Sequence, residues 1–170
     1  MDAAALRDLQ APLKQRYRDD PGSSRTPLTA KASFETDGVT ALVQTWSGPA
    51  RAGLHPATGG DGDDACSGDM LLQALLACAG VTMRSVATAM GVDISGAELR
   101  ATGMFDARGT LGMSRDVPIG VQDVSVVAEL ETDADDTTLT KLAELTERYC
   151  VVGRSLAQTP AISIRRSQTC

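Results

Sequence analysis

The chain has 170 residues, enough for one domain that buries a core without metal or disulfide staples. A net charge of −6 and an aromatic content of only 3% argue against two kinds of partner. A phosphate backbone needs clustered Lys and Arg, and single-stranded nucleic acid needs stacking platforms, so no nucleic-acid partner is expected.

Residues 3–18 are predicted to be helical, with Leu6, Leu9 and Leu13 on an apolar stripe that Pro12 disturbs. The run RDDPGSS breaks the chain. Residues 26–35 and 39–46 read as two strands joined through Thr36-Asp37-Gly38, an Asp-Gly hairpin signal. Residues 47–68, SGPARAGLHPATGGDGDDACSG, are expected to form one long loop, of the kind that often carries function.

A long helix follows over 68–91, with Ser67 as its N-cap, Asp69 in its first turn and Gly91 as its stop. It is apolar almost all round, so it should be covered on several sides, as a central helix or at a subunit interface. Asp69, Gln73 and Arg84 interrupt it and are costly in lipid, so no membrane partner is expected. Residues 97–107 and 121–131 read as strands. In the second, Val124, Val126, Ala128 and Leu130 alternate with Ser125, Val127 and Glu129, as in a sheet with one buried face. A second helix is predicted over 135–149, with Leu139, Leu142 and Leu145 on one stripe, and AISIRR is a last strand. Helices and strands grouped this way predict an α+β fold. An N-terminal helical extension over 1–25 would precede the main domain over 26–170.

The first residues, MDAAALRDLQAPLKQRY, lack the basic start, apolar run and cleavage site of a signal peptide, so a cytoplasmic protein is expected. There, Cys66, Cys78, Cys150 and Cys170 should be reduced unless they take part in redox chemistry. No CxxC pair suggests a zinc site or a thioredoxin-type motif. His55 is the only histidine, which leaves little material for His-based catalysis or metal binding. The DGDD run fails as a calcium loop because position twelve from Asp61 is Leu72, where a bidentate Glu is needed. The glycine-rich ATGGDGDD is acidic and lacks the Lys-Ser/Thr of a phosphate loop.

A cysteine within an apolar helix is, by itself, an ordinary packing residue. Two motifs change that reading of Cys78. The block SGDMLLQALLACAGVTMRSVA resembles the central-helix signature of the OsmC/Ohr family of hydroperoxide reductases, and ERYCVVGRSL is similar to that family's second cysteine motif. The two cysteines lie in the family's order about seventy residues apart, and it is this pair that carries the resemblance, over roughly residues 26–166. It implies an OsmC-like fold, an antiparallel sheet packed on the long central helix, in an intertwined homodimer. It also implies reduction of hydroperoxides, organic ones by preference, with Cys78 as the peroxidatic thiol and Cys150 as the resolving one. The partners would be the hydroperoxide and an external dithiol reductant, with no cofactor and no metal.

By the same resemblance, Asp69 stands where the family has the acidic residue that holds an activating arginine. That arginine is Arg51 or Arg25, with Arg51 preferred; Arg84, six residues after Cys78, points elsewhere around the helix. The sequence departs from the family pattern at Ser67, where a proline is usual, and at Val151 and Gly153, where Cys-Pro-Val-His-Arg is common. Cys66 reads as an exposed incidental thiol, and Cys170 as part of a disordered chain end. The rival reading is a non-catalytic small-molecule binding or structural domain whose thiols are incidental.

Overall fold

The structure, a computed structural model, describes residues 1–167. Helix α1 spans Ala3–Asp19, with Asp2 as its N-cap accepting from the Ala5 N–H at 2.8 Å. Its leucine stripe exists, but no α1 residue is buried. The predicted hairpin is present, with β1 at Ala32–Phe34 and β2 at Ala41–Thr45 paired antiparallel, Ser33 facing Leu42.

The expected long loop holds two strands. Strand β3, Gly48–Gly53, pairs antiparallel with β2, and β4, Ala65–Cys66, pairs parallel with β3. β3 lacks the β-branched and aromatic residues that announce a strand, and the β2 ladder, not local propensity, sets its conformation. The four form one sheet in the order β1-β2-β3-β4.

Helix α2 runs Ser67–Met90, starting at the residue expected to cap it. It stops at Gly91, whose φ of 71° is left-handed backbone that a side chain would strain. Strand β5 is Gly96–Met104 and the short helix α3 is Ala107–Thr110. Strand β6, Gln122–Glu131, is followed by α4, Asp136–Tyr149, then α5, Val151–Ser155, and β7, Ala161–Arg166. A second sheet has the order β5-β6-β7, and β6 pairs with β7 in parallel. The α+β class therefore holds; the expected antiparallel pairing is present in β1–β2 and β2–β3, and the strands fall into two small sheets with added parallel pairs at β3–β4 and β6–β7. The parallel β6–β7 pair follows from α4 and α5, which give the chain the crossover that a parallel return requires.

The chain divides into two compact units, one of Met1–Pro27, Leu75–Thr102 and the chain from Val124, the other of Leu28–Ala74 and Gly103–Asp123. In the first, the even-numbered face of β6 meets both α2 and α4. Val126, Ala128 and Leu130 are buried against Leu75, Ala79, Met83 and Ala87 of α2 and Leu139 and Leu142 of α4. The second unit, among the described residues, buries no large apolar side chain; Phe34 is 90% and Trp46, at the β2–β3 turn, 100% exposed.

Candidate active site

Cys78 lies midway along α2, at the edge of the buried line Leu75–Ala79–Met83–Ala87, and is half-buried. It packs on a cluster of Leu75, Ala79, Val126 and Cys150, with Val152 and Leu156 of the next segment beside it. Cys150 is only 1% exposed. Its backbone N–H closes α4 on the Thr146 carbonyl at 2.9 Å, and its sulfur caps α5 by accepting the Gly153 N–H at 3.4 Å. The second thiol is thus the joint between two helices.

The two environments drive the thiols in opposite directions. Burial raises the Cys78 pKa, but the Val152 N–H, the Cys150 thiol, the Thr82 hydroxyl and the Val151 N–H outweigh it, and the net shift is downward. At Cys150 burial is again the largest influence. There the Gly153 N–H does not offset it, and the neighbouring Cys78 charge adds to it, so this pKa rises. A pair of groups pushed apart this way takes complementary roles: of the two, Cys78 is the one that gives up its proton first and Cys150 the one that holds it longer. Both are free thiols, as is the half-buried Cys66 in β4; Cys170 lies outside the described residues.

Arg51, on β3, is held by carboxylates of its own unit. Its Nε donates to Asp64 at 2.7 Å, and a terminal nitrogen donates to Glu35 at 2.5 Å. The Thr40 hydroxyl donates to the same Asp64 at 2.6 Å. That hydroxyl and the guanidinium hold the Asp64 carboxyl below its ordinary pKa, and Asp64 and Glu35 raise that of Arg51. Gly53 makes the arrangement possible, since a Cβ there would sit 2.8 Å from the Asp64 Cβ. Neither Asp64 nor Glu35 was singled out by spacing as an arginine partner. Asp69, in the first turn of α2, is exposed and belongs to none of the ion pairs of the described residues. Arg25 is also exposed and closes the Pro21–Ser24 turn through its backbone N–H.

Arg84 turns away from the thiols and donates to the Ile94 carbonyl at 2.7 Å. His55 is a turn residue, its Nδ1 accepting the Ala57 N–H and its ring set edge-on to Phe105. A broad cleft of about 1180 Å³, lined by Met90, Asp93, Glu131, Asp133 and Arg166, opens at the C-terminal end of α2 and holds no thiol. Sequence reading did not pick out Thr82 or the α5 amides. Thr82 was findable, because the fourth residue after a helical cysteine returns to its face.

The family model described as OsmC-like protein matches residues 60–165 of the chain. Several solved structures share the fold. An OsmC-like protein from Mycoplasma pneumoniae aligns with a TM-score of 0.68 at 14% identity, covering 84% of this chain and 96% of that one. An organic hydroperoxide resistance protein from Elizabethkingia anophelis gives 0.65 at 14% identity, covering 85% and 99%. One from Legionella pneumophila, described also as a predicted redox protein, gives 0.64 at 14%, covering 85% and 100%. No curated protein matches the sequence.

Proposed function

Because this chain belongs to the family of OsmC-like proteins, we propose that it is a thiol-dependent peroxidase that reduces organic hydroperoxides through Cys78 and Cys150. The observation that carries the reading is the meeting of these two thiols with opposite shifts, the outer one toward thiolate and the buried one toward thiol. An unperturbed thiol is only a few per cent ionised at neutral pH, and the thiolate is the nucleophile. Lowering the Cys78 pKa enlarges the reactive fraction. The raised pKa of Cys150 makes it the less reactive of the two until the second step.

The Cys78 sulfur bonds to the outer peroxide oxygen, the O–O bond breaks, and the alkoxide leaves and takes up a proton. The products are an alcohol and a sulfenic acid, with sulfur oxidised by two electrons and the peroxide reduced by two. Cys150 then attacks the sulfenic sulfur; water leaves and a disulfide forms, which shields Cys78 from further oxidation. An external dithiol returns the pair to thiols by exchange. The apolar side chains around Cys78, Leu75, Leu76, Ala79 and Val152, favour an organic peroxide over a small polar one. Arg51, preset by Glu35 and Asp64, is the guanidinium we assign to activation, in a homodimer working in the cytoplasm.

Mass spectrometry of the intact protein after one equivalent of an organic peroxide tests this directly. The expected product has lost two hydrogen atoms, and peptide mapping places the bond between Cys78 and Cys150. A protein left unmodified would refute the peroxidase and favour the non-catalytic domain.

A further inference from the structure

Cys150 serves both of the helices it joins. Its N–H closes α4 on the Thr146 carbonyl at 2.9 Å, its carbonyl accepts the Arg154 N–H at 2.9 Å, and its sulfur accepts the Gly153 N–H at 3.4 Å. The sulfur thus stands where a helix usually has a Ser, Thr, Asp or Asn oxygen as the side-chain acceptor of its N-cap. α5 has little else to keep it wound. At five residues it is well short of the roughly 12–15 that an isolated helix needs in water. Its buried residue, Gly153, has no side chain to anchor, and Val151 is 64% exposed. Val152, and Leu156 just beyond the helix, pack on the cysteine cluster. Ser155 and Arg154 add exposed hydrogen bonds, to the Val151 carbonyl at 2.8 Å and the Thr159 hydroxyl at 3.1 Å.

Cys78 sits on a far stiffer element. α2 is 24 residues long and is anchored by Leu75, Ala79, Met83 and Ala87, all buried. α4, on the other side of the joint, is anchored by Leu139, Leu142 and Thr146 in the same way. A disulfide needs its sulfurs about 2 Å apart, with a dihedral of about 90°. Both thiols are free, so their sulfurs must close on each other before they can join. With α2 and α4 fixed by their buried side chains, the movement falls on the Cys150 sulfur and on the short helix that it caps.

We propose that the joint between α4 and α5 is a redox-sensitive latch: formation of a Cys78–Cys150 disulfide draws the Cys150 sulfur off the Gly153 amide and unwinds α5. Its place in turnover rests on the peroxidase reading, in which the same bond ends the oxidative half of the cycle. Cys150 is 1% exposed as the thiol. Unwinding α5 uncovers the bond for the external dithiol that reopens it by exchange.

The test needs no variant. The full-length protein is oxidised with diamide, an azo compound that takes up the two thiol hydrogens as the S–S bond forms and is itself reduced to the hydrazine. Peptide mapping locates the bond, and amide hydrogen exchange is followed residue by residue by NMR. Losing an N-cap acceptor should speed exchange at Gly153 and Arg154 by about fivefold or more, with the amides of α2 unchanged. Limited trypsin should cut after Arg154 in the oxidised protein before the reduced one, and dithiothreitol should reopen the bond in native buffer. Cys150→Ser, whose hydroxyl caps a helix but forms no disulfide, should keep the α5 amides protected through diamide treatment. Unchanged α5 exchange in protein that carries the Cys78–Cys150 bond overturns the proposal. So does a bond that opens only in denaturant, a failure of diamide to form it, or freed α5 amides in the treated Cys150→Ser protein. Because diamide is not a peroxide, the two readings fail separately. An unwound α5 in a protein that consumes no peroxide upholds the latch and removes the peroxidase. Peroxide consumption with the α5 amides unmoved in the oxidised protein removes the latch alone.

Discussion

Cys78 and Cys150 differ less in chemistry than in what holds them. Cys78 stands half-buried on the side of a long helix, while Cys150 is a structural joint whose sulfur caps α5. Replacing Cys78 with Ser should therefore abolish peroxide consumption with no change in far-UV circular dichroism. Replacing Cys150 with Ser should leave a first turnover intact but drive Cys78 on to sulfinic acid when peroxide is in excess, visible as added oxygen in the Cys78 peptide. The pH dependence has a definite sign. Since the Cys78 pKa is lowered and the thiolate attacks, peroxide consumption should rise with pH along a limb that lies below the ordinary thiol range. A limb at or above that range would contradict the assignment of Cys78.

Elements whose pattern is local were legible in the sequence. The alternation of Val124, Val126, Ala128 and Leu130 gave β6, and the stripe of Leu139 and Leu142 gave α4, because burial and periodicity coincide there. Leu142 is fully buried in the cluster it shares with Ala128 and Leu130 of β6 and Met83 and Ala87 of α2, and Leu142→Ala should cost about 2–5 kcal/mol, measured by urea unfolding. Elements made by partners were not legible. β3 is a Gly-Pro-Ala-Arg-Ala-Gly stretch that is a strand only because β2 pairs with it, and α5 is five residues capped by a sulfur. The same holds within the site. The two cysteines were readable through their motifs. The grip of Glu35 and Asp64 on Arg51 joins residues far apart in sequence, and nothing in the spacing announces it.

On the scale of the whole molecule the telling fact is where large apolar side chains are not buried. By length and composition α2 could cross a membrane, and Val81 on it is 73% exposed. Met104, Met113 and Ile119 of the second unit are likewise exposed. A stable protein interface covers about 1,200–2,000 Å² in all, and a second copy of this chain is the occupant we propose. Light scattering at about ten micromolar, without detergent, should give twice the chain mass; a monomer, or a protein soluble only in detergent, would argue otherwise. The unit of Leu28–Ala74 and Gly103–Asp123, lacking a buried apolar core of its own, gives this a consequence beyond shape. If its missing interior is supplied by another chain, folding is a bimolecular event, and stability becomes a function of abundance. The thermal midpoint should climb as the protein is concentrated. A cell that makes little of this protein would then hold not merely fewer active sites but a larger unfolded fraction of the chains it has made.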